Sequence, residues 1–145
     1  MDERTVFQSI SRKHVISLSP QATVRDAACV MTRASCGSVL IMEPPDILLG
    51  ILTERDLMTR VLARGLDPDR TPTREVMTPN PICVAPETRV SDAIVLMLER
   101  GFRHLPLVSG KKILGVFSVR DALPRELGAA ISQTEFHEQV NDVLG

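Results

Sequence analysis

"GILTERD", from Gly50 to Asp56, returns as "GVFSVRD", from Gly115 to Asp121. Each copy has a glycine, two apolar residues, a hydroxyl residue, two further positions and an aspartate, with arginine directly before the acid. A hydroxyl three residues ahead of an acid is the sequence form of a capping box. The N-cap side chain accepts from the N3 backbone N–H, and the acid accepts from the N-cap N–H in return. Each motif therefore reads as a strand running into a helix, and its recurrence makes the chain two copies of one unit.

Working outward, the copies align over most of their length. At an offset of 66, Ile16 meets Ile82, Pro20 meets Pro86, Val24 meets Val90, Asp26 meets Asp92, Ala27 meets Ala93 and Met31 meets Met97. The offset becomes 65 after a turn in which Pro44-Pro45-Asp46 faces Gly110-Lys111, residue types suited to turns of different length. "VISL" and "ICV" are short β-prone runs stopped near a proline. Val24, Ala27, Ala28 and Met31, matched by Val90, Ala93, Ile94 and Met97, have helical spacing, and Gly37 and Gly101 are expected to close these helices. "SVLIM" with "ILLGIL", and "LPLV" with "KILGVF", predict two antiparallel hairpins. Leu57, Met58, Val61 and Leu62 form an apolar stripe on the helix after the first motif. The unit is β-α-β-β-α, so the fold class is α/β (α+β), with two repeats packed about a pseudo-twofold axis.

A first domain at 6–65, a linker at 66–75, a second domain at 76–124 and a helical tail at 125–145 follow from this alignment. The linker is rich in proline, threonine and charge. A unit of roughly 60 residues is small for independent stability, so the two copies are expected to share a core. Pro124, six residues after Ser118, should cut the last helix of the second copy short, with a new helix starting near it.

Composition narrows the function. With 145 residues, a net charge of −1 and 3% aromatics without Trp or Tyr, the chain offers neither a bulk field for nucleic acid or anionic lipid nor platforms for exposed bases. "MDERTVFQSI" has no secretory apolar region, and the longest apolar run, "AIVLML", cannot span a bilayer. A cytoplasmic protein is expected. Cys29, Cys36 and Cys83 form no CxxC pair and read as small buried hydrophobes, while His14, His104 and His137 are too dispersed for an HExxH-type site, so no metal is expected. No nucleophile elbow or phosphate loop accompanies His104 and Asp121, so the chain is not expected to be an enzyme.

Capping accounts for the hydroxyl and the acid, but it requires neither the upstream glycine nor the arginine. A hydroxyl and a carboxylate where a strand meets a helix N-terminus also suit a ligand's sugar and phosphate. The carboxylate accepts from vicinal hydroxyls, and backbone N–H groups face the phosphate. Two such edges would border two clefts with apolar walls.

These residues resemble the cystathionine β-synthase (CBS) domain family, as a tandem pair called a Bateman module. Residues 8–57 resemble a first domain and 74–123, "REVMTPNPICVAPETRVSDAIVLMLERGFRHLPLVSGKKILGVFSVRDAL", a second. The resemblance implies adenosine-containing ligands (AMP, ADP, ATP or S-adenosylmethionine) bound between paired domains, regulating a partner protein, with no required cofactor. By resemblance, Asp56 and Asp121 meet ribose hydroxyls and Thr53 and Ser118 meet ribose or phosphate. Ile16, Thr78, Pro81 and Ile82 surround the base, and Arg103, His104 and Arg120 are basic candidates beside the phosphate. Gly37 and Ser38 stand where the second copy has Arg103 and His104, so unequal clefts are expected, the better phosphate site being the one with Arg103, His104, Ser118 and Asp121. Homodimerisation, common in the family, is also expected. The competing reading is a ligand-free dimerisation or docking module in which both motifs only cap helices.

Overall fold

The computed structural model describes residues 4–11 and 14–123. The expected tail at 125–145 and the helix near Pro124 lie outside the described residues.

Thr5 opens α1 (Val6–Ser9) with a capping box: Gln8 N donates to Thr5 Oγ1 at 3.2 Å and Thr5 N to Gln8 Oε1 at 3.0 Å. Strand β1 (Ser17–Leu18) follows, then α2 (Val24–Ala34), whose N-cap Thr23 forms the same box with Asp26. Val24, Ala27 and Met31 of α2 point into the core, as their spacing predicts. The helix closes at Ser35, which takes the left-handed conformation at φ 52°, and not at Gly37. Gly37 serves another purpose: a Cβ there would stand 3.3 Å from both Glu54 Oε1 and His104 Nε2. The bare backbone leaves room for side chains arriving from elsewhere.

Strands β2 (Ser38–Glu43) and β3 (Ile47–Thr53) form the first hairpin, and β3 runs into α3 (Glu54–Asp56), which continues as the π-helical Leu57–Leu62. A 3-10 turn, Thr73–Glu75, precedes β4 (Thr78–Pro79). Then come α4 (Val90–Arg100), capped as expected by left-handed Gly101 at φ 73°, and the second hairpin, β5 (His104–Ser109) with β6 (Lys112–Ser118). The chain turns after β6 into a 3-10 segment, Val119–Ala122, short as Pro124 requires.

The sheet order is β1-β2-β3-β4, with β5-β6 forming a separate pair. The hairpins agree residue for residue. Ser38 pairs with Thr53 as His104 pairs with Ser118, Ile41 with Gly50 as Leu107 with Gly115, and each hairpin shifts register directly after Ile41 or Leu107. The expected strand "ICV" is reduced to one parallel bridge, Val84 to Leu107, which matches the Leu18 to Ile41 pairing in the first repeat.

The expectation of one shared core is corrected. Val24, Ala27, Met31, Val39, Ile41, Leu52, Val61 and Val76 form one cluster. Val6, Ile10, Val90, Ala93, Met97, Leu105, Leu107 and Phe117 form another. The repeats are bound by exchange: Ile10, near the start of the first copy, is buried in the second copy's core, and Val76, its counterpart at offset 66, is buried in the first's. Backbone bonds follow the same exchange, with Val90 N donating to Arg4 O at 2.9 Å and Val24 N to Thr71 O at 2.9 Å. Each small core is completed by a segment that its own repeat does not supply.

Two smaller expectations also change. The apolar stripe after the first motif divides, because the π-helical pitch turns Leu57 and Val61 inward while Met58 and Leu62 stand 58% and 78% exposed. The cysteines are free and not uniformly buried: Cys29 and Cys83 are exposed and Cys36 is half-buried, since Cys29 lies off the inward face of α2 and Cys83 lies in extended chain.

Candidate ligand-binding clefts

At the end of β3, Thr53 N donates to Asp56 Oδ2 at 2.9 Å and Asp56 N to Thr53 Oγ1 at 3.2 Å. The capping box is therefore formed, and Asp56 is buried. The box engages only one carboxylate oxygen. Asp56 Oδ1 faces Arg60 Nε at 3.6 Å, and Arg60 Nη1 donates to the carbonyls of Val76 and Met77 at 3.0 and 3.1 Å.

The motif's glycine has its own reason. Gly50 pairs with Pro79 and Ile51 with Thr78, and a Cβ on Gly50 would lie 2.5 Å from Met77 Sδ and 2.7 Å from the Thr78 carbonyl oxygen. Only glycine admits the segment leading into the second repeat so close to β3.

Beside Asp56 opens a cavity of about 230 Å³. Its apolar wall is Ile51, Pro81, Ile82 and Phe102; Thr53, Glu54, Asp56 and Thr78 add polar groups, Arg55, Arg103 and His104 add nitrogen donors, and Arg60 lines it with Nε and Nη1 engaged by Asp56 and the Val76 and Met77 carbonyls. Seven of the candidates, Thr53, Asp56, Thr78, Pro81, Ile82, Arg103 and His104, line one cavity built from both repeats.

That grouping corrects the expected one, in which Arg103 and His104 accompany Ser118 and Asp121. Backbone pairing does hold His104 opposite Ser118. The side chains nevertheless cross to the first repeat, where Gly37 presents no side chain and His104 Nε2 can sit beside it. The expectation of two basic side chains is corrected as well. Burial lowers the His104 pKa to about 4, so its ring is neutral at pH 7 and Arg103 is the cation of the pair.

Asp121 has different company. Its Oδ2 accepts from Ser118 N at 2.8 Å and Ser118 Oγ at 3.3 Å, while its Oδ1 accepts from Ser11 N at 3.3 Å and Ser11 Oγ at 3.4 Å. Burial raises the Asp121 pKa, and these bonds oppose the rise. Arg120 is exposed and does not line the cavity beside Asp56. Ile16 packs against the first core and its carbonyl accepts from Leu40 N at 3.0 Å, so it too stands apart from that cavity.

Sequence reasoning missed Arg60 and Ser11. The signal for Arg60 was its i+4 spacing from Asp56, a common helical ion-pair spacing. Ser11 carried none, because its partner lies 110 residues away. Among the described residues, no group of three or more His, Cys, Asp and Glu is placed to hold a metal ion, and no helix is long and apolar enough to cross a membrane.

The family model of the CBS domain matches residues 7–63 and again 74–127. The chain belongs to the CBS domain family. Protein MK0525 of Methanopyrus kandleri is 36% identical over 118 residues, 81% of this chain and 60% of its own length. A 17.7 kDa protein of Acidianus ambivalens is 34% identical over 142 residues, covering 97% of this chain and 84% of its own. The CBS domain-containing protein CBSCBSPB2 of Arabidopsis thaliana is 33% identical over 121 residues, and the match spans only 22% of that longer protein. Among solved structures, the CBS domain protein PAE2072 of Pyrobaculum aerophilum, complexed with AMP, superposes with a TM-score of 0.75 at 25% identity, covering 90% of this chain and 100% of that one. The CBS pair, a regulatory module, is thus established as family and fold.

Proposed function

We propose that this CBS pair binds an adenosine-containing ligand, of the AMP, ADP or ATP type or S-adenosylmethionine, in the cavity beside Asp56, and signals its presence to a partner protein. The observation that carries the reading is that Asp56, Thr78 and Arg103, drawn from both repeats, meet around one cavity with an apolar wall. The Asp56 carboxylate accepts hydrogen bonds from the ribose hydroxyls, and Thr53 stands beside it. Pro81, Ile82 and Ile51 pack on the base, with backbone groups near Thr78 reading its edge. Arg103 faces phosphate, with His104 as a neutral donor. AMP in the Pyrobaculum aerophilum relative supports an adenine nucleotide as the ligand class.

A ligand that touches both repeats favours one arrangement of them over another. That differential affinity is what a partner can read. Ser118, Asp121, Arg120 and Ile16, around the second motif, stand apart from this cavity, and we place only weaker binding at them. The exposed side chains Met58, Leu62, Val95 and Leu98, between 52% and 79% accessible, support homodimerisation through the helices that carry them. The reading is of a cytoplasmic regulator that performs no catalysis.

Calorimetric titration with AMP, ADP, ATP and S-adenosylmethionine tests it. At least one should bind, and Asp56→Asn, which keeps an acceptor for Thr53 N, should weaken binding by about 1.5–3 kcal/mol, on the order of ten- to 150-fold. A folded dimer that binds none of the four at millimolar concentration would favour the docking module in which the motifs only cap helices.

A further inference from the structure

We propose that Arg60 is a positioning residue for this cavity: it holds the Asp56 carboxylate and the segment before Thr78 in one fixed relation, and acts on the ligand only through them. The inference rests on the reading of Asp56 as the ribose-binding group.

Three observations converge on this residue. Asp56 has a partner on each oxygen, Oδ2 accepting from Thr53 N at 2.9 Å and Oδ1 ion-paired with Arg60 Nε at 3.6 Å, and both residues line the cavity. Arg60 Nη1 is committed to two carbonyls, Val76 O at 3.0 Å and Met77 O at 3.1 Å, directly ahead of Thr78, Pro81 and Ile82. That segment is anchored on its own account as well, since Val76 is 2% exposed in the first core and Thr78 pairs with Ile51. A guanidinium is planar and rigid, so Nε and Nη1 keep a constant spacing between carboxylate and carbonyls. Arg60 therefore couples the acid of the first repeat to the approach segment of the second. A lysine offers one point charge and cannot reproduce the fork.

The chemistry separates this role from direct phosphate binding. A positioning residue acts through the ribose carboxylate, so its loss should weaken AMP and adenosine by the same factor. A phosphate ligand would weaken AMP alone. Titrations with AMP and with adenosine on wild type, Arg60→Met, Asp56→Asn and the double variant measure both. Expected is a roughly tenfold loss for Arg60→Met with either ligand, and less than about twofold further loss when Asp56 is already Asn, as coupled residues behave. Arg60→Lys should recover only part of the affinity while melting within a few degrees of wild type, which keeps the test readable if Arg60→Met folds poorly. A loss confined to AMP, the same loss in both Asp56 backgrounds, or full recovery by lysine overturns the assignment. If wild type binds both ligands and Asp56→Asn weakens them while Arg60→Met changes neither, the positioning role falls and the ribose reading stands. If wild type binds neither of these, nor ADP, ATP or S-adenosylmethionine, both fall together.

Discussion

Asp56 and Asp121 occupy the same place in the two repeats, three residues after a strand-ending hydroxyl, and each takes a backbone N–H from that hydroxyl residue, at 2.9 and 2.8 Å. They differ in the second oxygen. In Asp56 it faces a cation that reaches on to two carbonyls, whereas in Asp121 it meets the backbone and hydroxyl of Ser11. A duplicated motif thus reproduces the backbone and its cap, while the surroundings decide what each acid can do. For Asp121 that partner comes from the other repeat, whereas Arg60 belongs to the same repeat as Asp56 and reaches across only to the carbonyls of the other repeat's approach segment.

The largest effect tests the exchange itself. Ile10→Ala should destabilise the protein by about 2–5 kcal/mol, since a fully packed aliphatic side chain leaves a cavity. Amide hydrogen exchange should then quicken in β5 and β6 ahead of β2 and β3. Val76→Ala should reverse that pattern with a smaller loss, and a uniform quickening in both variants would break the idea of two exchanged cores.

Next in size is a pH effect confined to the Asp56 cavity. His104 has a native pKa of about 4 against an ordinary 6.5, so the unfolded state binds the proton more readily between those values. Stability should be intact above pH 6.5 and fall as the solution is acidified toward pH 4, by about 3 kcal/mol for this one group. Asp121 has the opposite sign: its native pKa is raised, so the folded state gains protons first and stability drops as pH rises through the window above 3.8. Denaturant titrations of wild type and His104→Gln across pH 4–7 check the larger effect. The slope should flatten in the variant, and an unchanged slope would remove His104 as its source.

Gly50→Ala comes third, at about 1–3 kcal/mol, because the new methyl meets the Thr78 backbone at 2.7 Å and forces β3 and β4 apart. It should also weaken AMP binding, since Thr78 lines the cavity, and a thermal melt alongside a titration separates the two losses. The smallest effect sharpens the comparison of acids: Asp121→Asn should leave AMP affinity at the Asp56 cavity within about twofold. A loss there as large as that of Asp56→Asn would mean the two acids serve one shared site.

The repeat, the two hairpins, their turns and both capping boxes were legible in the sequence because each rests on periodicity or on partners a few residues apart. The α2 cap was misread since Ser35 tolerates a left-handed backbone that glycine merely favours. The strand "ICV" shrank because edge pairing depends on what lies beside it. Above all, local spacing cannot record that Ile10 and Val76 trade cores, that a missing side chain at Gly37 draws His104 across to the first repeat, or that Ser11 reaches Asp121 over 110 positions. By itself the sequence determined that two matching strand-to-helix edges exist and that each carries an acid. Tertiary packing decided which basic side chains join which acid, because the exchanged segments bring distant parts of the chain together and burial then sets the charge those side chains carry.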